Sequence, residues 1–211
     1  MLQSLCLCAF IAPMDNRTPV RILQHPDEAH HALNTARWVV AGLRQASLSC
    51  GTQFLPHHWC VAGFAPVLLF PASDTDSKQS GGSHAEDQQG VAADRQKNSL
   101  VVIDGTWRQA AAIIRQHPGL TALPRITLPA SSGSKYRLRK SPRADGLSTV
   151  EAVVAALDIM DAPTSHAAVL RPFLIQIDRQ IALQRKRMGE QAFRHNYPHL
   201  SWPPGDPSDS Q

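Results

Sequence analysis

Short apolar runs recur along the chain with helical patterns between them. The runs are Val20-Arg21-Ile22-Leu23, Ala65-Pro66-Val67-Leu68-Leu69-Phe70-Pro71, Leu100-Val101-Val102-Ile103 and Ile126-Thr127-Leu128. Each is too short for a helix and rich in β-branched or leucine residues, as buried strands are. After the first, Pro26, Asp27 and Glu28 open a helix whose stripe (Ala29, Ala32 or Leu33, Ala36, Val40, Leu43) extends to about Gln45. After the third, Trp107, Ala110, Ala111 and Ile114 fall at i, i+3, i+4 and i+7. Val150, Val153, Val154 and Leu157 form another stripe, and Phe173, Leu174, Ile177 and Ile181 mark a final helix from Leu170 to Arg194. Strands alternating with helices predict an α/β fold with a mostly parallel sheet flanked by helices.

Two turns stand out in this pattern. Asp104-Gly105-Thr106-Trp107 is where a strand hands over directly to a helix. That places Asp104 at the carboxyl end of a strand, the edge where open α/β sheets bind ligands. Gly105 permits a tight turn and Thr106 can cap the helix. Ser148 and Glu151 form S-x-x-E, a capping box that opens the helix of Val150 to Leu157. The free N–H groups of such a helix start can also hold an anion.

At 211 residues and 43% hydrophobic, the chain suits one α/β domain and is short for two. The expected domain is 1–195, interrupted by a polar, glycine-rich stretch at 72–98 that reads as a flexible surface insertion. Residues 196–211, with Trp202-Pro203-Pro204-Gly205, read as a disordered tail. The formal charge of +4 permits a polyanionic partner without demanding one. No apolar run nears the roughly 18 residues of a membrane span. The opening Leu5-Cys6-Leu7-Cys8 stretch lacks the positive region of a signal peptide, so the reading is cytoplasmic, with Cys6, Cys8, Cys50 and Cys60 as thiols.

In order along the chain stand Asp104-Gly105-Thr106-Trp107, Leu128-Pro129, Tyr136-Arg137-Leu138-Arg139-Lys140 and Leu147-Ser148-Thr149-Val150-Glu151-Ala152. Upstream are Ile22-Leu23-Gln24-His25-Pro26-Asp27-Glu28 and Asn34-Thr35-Ala36-Arg37. With these motifs the chain resembles the DTW-domain family of tRNA-uridine aminocarboxypropyltransferases, from about Cys6 to Leu157 and on toward Phe193. The resemblance implies a knotted, SPOUT-like fold and S-adenosylmethionine as the group donor. It also implies transfer of the donor's 3-amino-3-carboxypropyl group to N3 of a uridine in tRNA, leaving methylthioadenosine. The residues it points to around the donor are Pro71, Gly105, Thr106, Trp107, Leu128, Leu147, Ser148, Thr149 and Ala152. Family members usually open with a longer cysteine cluster suited to zinc. Here only Cys6 and Cys8 remain of it, and two ligands cannot close a structural zinc site, so no metal is expected.

In that chemistry the sulfonium is already a good leaving group, which leaves alignment and removal of the N3 proton. Asp104 is the candidate catalytic base. It could instead accept hydrogen bonds within its turn, or hold the donor's amino group. Trp107 lies on an apolar stripe, so packing in the core is its default reading and walling the pocket the alternative. Glu151 reads as structural. The donor's carboxylate would suit the helix start at Ser148 and Thr149. Tyr136, Arg137, Arg139 and Lys140 form the clearest basic cluster and favour the RNA backbone. Arg185, Lys186, Arg187 and Arg194 form a second one, equally readable as a solvated helix end. Arg37 could face the pocket or pair with an acid on its own helix. His30-His31 and His57-His58 read as surface residues. Two other functions fit the same residues: an RNA methyltransferase of similar fold, which would release S-adenosylhomocysteine, and an inactive RNA-binding relative, which would bind tRNA without product.

Overall fold

The apolar runs do become strands of a single sheet. In the computed structural model, which describes residues 6–31, 34–70, 97–129, 134, 146–197 and 200, five strands lie in the order β2-β1-β4-β3-β5. They are β1 (Val20–Gln24), β2 (Ala46–Cys50), β3 (Ala65–Leu69), β4 (Asn98–Asp104) and β5 (Arg125–Ile126), and every pairing is parallel. The helices are α1 (Pro26–Ala29), α2 (Ala36–Gly42), α3 (Trp107–Gln116), α4 (Pro118–Thr121), α5 (Thr149–Met160), α6 (Arg171–Met188) and α7 (Glu190–Asn196). The expected α/β architecture with a parallel sheet between helices is therefore present.

Side-chain alternation along each strand divides the core in two. Val20, Ile22, Val67, Leu100 and Val102 face α2, α5 and α6, where Val39, Val153, Leu157, Phe173 and Ile177 cover them. Leu23, Leu68 and Val101 face the other way, onto Ile113 and Ile114 of α3, Leu120 of α4, and Phe54 and Trp59 from the β2–β3 connection. On this second side His117, buried, accepts the Phe54 N–H at Nε2 (2.9 Å) and reaches the Ile113 carbonyl with Nδ1 (2.6 Å). Both ring nitrogens are satisfied by a neutral ring with its proton on Nδ1. The central strand β4 is covered on both faces, which is why it reads as an unbroken apolar run.

Helix α5 crosses the sheet face from edge to edge. Twelve residues span about 18 Å at 1.5 Å each, close to the length of a strand. Its first residue, Thr149, reaches the carboxyl edge of the sheet at Asp104. Asp161, just past its last residue, reaches the amino edge. There the buried Asp161 carboxylate accepts the backbone N–H groups of Arg17 (2.9 Å) and Thr18 (3.1 Å) and the Thr18 hydroxyl (2.7 Å), fixing the lead into β1. Fully buried His166 lies beside it, with Nε2 3.5 Å from Asp161 and Nδ1 3.3 Å from Asp158.

Several sequence expectations need correcting. The single helix from Pro26 to about Gln45 is two short helices followed by an edge strand. Asn16 holds the turn into that strand, accepting the Gln45 N–H at 2.9 Å, while the Gln45 amide donates to the Asn16 carbonyl at 2.6 Å. Ala46 to Cys50 then pairs with β1; its serines mark an edge strand rather than a helix tail. The helical stripe shifts as a result: Trp38 and Val39 are buried and Val40 is exposed. The final helix breaks at Gly189, whose φ of 82° separates α6 from α7. Asn98, assigned above to an insertion, is the first residue of β4, and the carbonyl of Lys97 before it accepts the Ala65 N–H at 2.8 Å; residues 72–96 of that stretch lie outside the described residues. At the far end Asn196 closes α7, and Leu200 is buried. Strand order alone does not specify the knot that the resemblance implies, and the connection 135–145 also lies outside the described residues.

Candidate active site

Strand order locates the site before any side chain does. From β1 the chain moves through α1 and α2 to β2 on one side; from β4 it moves through α3 and α4 to β5 on the other. The loops leaving the adjacent strands β1 and β4 therefore diverge, opening a crevice at the carboxyl ends of those two strands, where such sheets bind ligands. The last residues of the two strands are Gln24 and Asp104, and they are direct register partners.

Asp104 is buried, with 7% of its surface exposed, and Gln24 with 2%. Both follow the alternation of Ile22 and Val102, so both polar groups point to the α5 side of the sheet and must find partners there. They find each other: the Gln24 amide donates to Asp104 Oδ2 at 2.7 Å. The hydroxyl of Thr149, first residue of α5, donates to Asp104 Oδ1. Each carboxylate oxygen thus takes one donor and keeps a lone pair for a further one. The carboxylate also stands at the positive end of the α5 dipole, which favours an anion.

The start of α5 holds a second carboxylate. Glu151, buried, accepts the Ser148 N–H at 2.9 Å, the Ser148 hydroxyl at 2.6 Å and the Ser134 hydroxyl at 2.5 Å through Oε2. The capping role expected of Ser148 and Glu151 is present, with Ser134 added to it. The chain thus supplies two anions at this helix end.

The other wall is the turn after β4. The His25 N–H donates to the Asp104 carbonyl at 2.9 Å, extending the β1–β4 ladder by one bond. Thr106 caps α3 as expected: its N–H donates to Gln109 Oε1 at 2.8 Å and its hydroxyl accepts the Gln109 N–H at 3.3 Å. Gln109 also donates to Asp27 at 2.9 Å, tying α3 to α1. A Cβ on Gly105 would stand 3.2 Å from Gln109 Cβ and in ordinary contact, 3.5 Å, with His25 Cβ, so a side chain here would crowd the Gln109 that caps α3.

A profile of the DTW domain matches residues 1–181. The chain belongs to the DTW-domain family. Its similar relatives include proteins named tRNA-uridine aminocarboxypropyltransferase 2. The one from Macaca fascicularis is 27% identical over 205 residues, 88% of this chain and 65% of the relative. That from Drosophila melanogaster is 30% identical over 165 residues, 72% and 60% of the two chains. That from Mus musculus is 27% identical over 203 residues, 87% and 64%. The chain thus spans about 60–65% of the length of these curated relatives. No solved structure matches it.

In this DTW-family chain the residues singled out from sequence fall into two groups. Asp104, Gly105, Thr106, Ser148 and Thr149 meet at the crevice. Leu147 is half-buried beside Ser148, and Ala152 half-buried one turn into α5. Leu128 packs against the core cluster to which α5 contributes. Trp107 departs from its default reading: it is 44% exposed, because Ala110, Ile113 and Ile114 carry the buried stripe of α3 and the first residue overhangs the sheet edge. Pro71, Tyr136, Arg137, Arg139 and Lys140 lie outside the described residues. Arg37 is half-buried on α2 with its guanidinium 4.6 Å above the Trp38 ring. The acids Asp27 and Glu28 lie on α1, so the pairing with an acid on its own helix has none available.

The second basic cluster sits at the α6–α7 corner. Arg185 grips Glu190 through two bonds of 2.9 Å and Arg194 adds one of 3.1 Å, and these guanidinium contacts hold the Glu190 carboxyl below its usual range. Cys6 and Cys8, both exposed thiols, interact: the Cys8 N–H donates to Cys6 Sγ at 3.4 Å. Hydrogen bonding from the Cys8 side chain, then its backbone, lowers the Cys6 pKa, while the same Cys6 contact raises that of Cys8. Among the described residues no group of three or more His, Cys, Asp or Glu could hold a metal ion. Also among the described residues, no helix is long and apolar enough to cross a membrane.

Sequence reasoning missed Gln24 and His25 as site residues. Gln24 carried a usable signal, since it falls on the buried face of β1 and a buried amide demands a partner. Its partner depended on the β1–β4 register, which no local pattern encodes.

Proposed function

We propose that this chain is a tRNA-uridine aminocarboxypropyltransferase that takes S-adenosylmethionine as donor and uridine N3 as acceptor. The observation carrying the reading is Asp104, held by Gln24 and Thr149 at the diverging ends of β1 and β4 in a chain of the DTW family. The names of the relatives support the same reaction. The residues fit such a donor in charge: a sulfonium and an ammonium are cations, and the Asp104 carboxylate stands at the crevice with a lone pair open on each oxygen. When bound, the donor supplies a carbon activated by its bond to positive sulfur.

Asp104 accepts the N3 proton of uracil on a lone pair that Gln24 and Thr149 leave open. The N3 electron pair forms the bond to carbon, the carbon–sulfur bond breaks, and its electrons neutralise the sulfur, releasing methylthioadenosine. Gln24 and Thr149 keep the carboxylate from rotating, so the base is aligned before substrate arrives. Gly105 leaves room for the Gln109 side chain that caps α3 and ties it to α1.

The test is mass spectrometry of tRNA incubated with the protein and S-adenosylmethionine. The expected outcome is a uridine carrying the aminocarboxypropyl mass, with equimolar methylthioadenosine. Release of S-adenosylhomocysteine with methylated RNA would assign methyl transfer instead. Binding of tRNA with no product would make the chain an RNA-binding relative.

A further inference from the structure

Among the described residues the large apolar side chains that stay exposed are Val40, Leu55, Trp107, Ile159 and Leu183, and of these only Trp107 is aromatic. It does not stand alone. Phe70, one residue beyond β3, meets the indole edge-on with ring centroids 5.9 Å apart. The exposed Arg125 of β5 places its guanidinium 5.8 Å from the Phe70 ring centroid. The β3–β5 pairing fixes that geometry, since the Phe70 N–H donates to the Ile126 carbonyl at 3.3 Å. The three side chains form a ledge along the carboxyl edge of the sheet. Trp107 is three residues from Asp104, so their Cα atoms are at most about 11 Å apart.

We infer that this ledge is a stacking platform for an unpaired base of the RNA substrate, next to the nucleotide presented to Asp104. The inference rests on the reading of the chain as a tRNA-modifying enzyme and names where the RNA lies. A half-exposed indole braced by a second ring offers a π-face at low conformational cost, which suits bases of any identity. Arg125 adds a cation where a strand's phosphates would pass. A uridine must leave its stack for N3 to be reached, and its neighbours then need somewhere to lie. The ledge is on the α3 side of the sheet while Asp104 and α5 are on the other, so a strand bent over the β4 edge would meet both.

The test measures binding of a labelled tRNA transcript and of labelled oligouridine to the full chain by fluorescence anisotropy, beside transfer activity. Trp107→Ala should weaken both RNAs about five- to a hundred-fold, the usual effect of removing one stacked base–aromatic pair. Trp107→Phe, which keeps a ring, should stay within about threefold of wild type. Arg125→Gln should lower the salt slope of oligouridine binding by about 0.7, one phosphate contact, and Trp107→Ala should leave that slope unchanged. A thermal melt of each variant checks the fold, which an exposed side chain should not disturb. Unaltered RNA binding in Trp107→Ala overturns the ledge while wild-type turnover leaves the enzyme reading standing. Unaltered RNA binding with a raised KM for S-adenosylmethionine would assign the indole to the donor instead. A wild-type chain that binds no RNA removes both the ledge and the enzyme reading.

Discussion

Asp104→Asn is the most informative single change because a proton-accepting role and a purely hydrogen-bonding one predict different magnitudes. Asparagine keeps the shape and removes the charge. Gln24 donates to one carboxylate oxygen and Thr149 to the other, whereas asparagine offers one acceptor and one donor. The network can still close: the new carbonyl faces Gln24, and the new amide donates to the Thr149 hydroxyl, which can reverse its role. The cost is the difference between charge-assisted and neutral hydrogen bonds, about 1–3 kcal/mol for the pair. For a chain of this size that lowers Tm by roughly 2–12 °C, and a domain with about 5–15 kcal/mol in hand stays folded. Loss of a general base costs about 10²–10⁴ in rate. The assay is release of methylthioadenosine at saturating donor and tRNA, with urea unfolding of the same preparation. A drop in kcat of a hundred-fold or more in a folded protein is expected. Turnover within about threefold of wild type would refute the proton-accepting role, and collapse of the fold would make the carboxylate structural.

Three further outcomes follow from the same geometry. Thr149→Val keeps volume and removes the hydroxyl from Asp104; transfer should fall about five- to thirty-fold through a misaligned carboxylate, worth about 1–2 kcal/mol, as read by kcat with KM for tRNA unchanged. Asp161→Ala leaves the Arg17 and Thr18 backbone N–H groups and the Thr18 hydroxyl without their acceptor, and should cost about 3–5 kcal/mol by urea unfolding, the largest stability loss of the set. Gly42→Ala gains up to about 1 kcal/mol of helix propensity, yet its Cβ would stand 2.9 Å from Val169 Cγ1; overpacking of about 1–3 kcal/mol should win, giving a lower melting temperature.

The legible parts of the fold were those where one residue's neighbours in sequence are also its neighbours in space. Thr106 and Gln109, or Ser148 and Glu151, sit three apart and cap their helices as their spacing says. The strands β1, β3 and β4 announced themselves because both faces are buried. Strand β2 did not, since Ala46-Ser47-Leu48-Ser49-Cys50 is an edge with one polar side, and its turn is set by Asn16, 29 residues upstream of Gln45. Trp107 misled in the opposite direction. Helical spacing placed it on the apolar stripe, but a helix's first residue can hang past the layer that the rest of the stripe covers. In the candidate site, Asp104 could be placed at a strand end from sequence, while Gln24, 80 residues away and bonded to it at 2.7 Å, could not.

The same nonlocal bonds explain why the site is stiff. Helix α5 is staked at both ends by carboxylates: Asp104 of β4 meets its first residue, and its own C-cap Asp161 seizes the lead into β1. Because β1 and β4 are paired over five residues, a shift of α5 along its axis would have to break contacts at both sheet edges together. The acid at the start favours the helix dipole, whereas the acid at the end opposes it. That second end is held by the two backbone donors and one hydroxyl of Arg17 and Thr18, which outweigh an effect of about 0.3–1 kcal/mol. Stability invested at the amino edge therefore fixes the height of Thr149 at the carboxyl edge, and with it the angle at which Asp104 meets whatever enters the crevice.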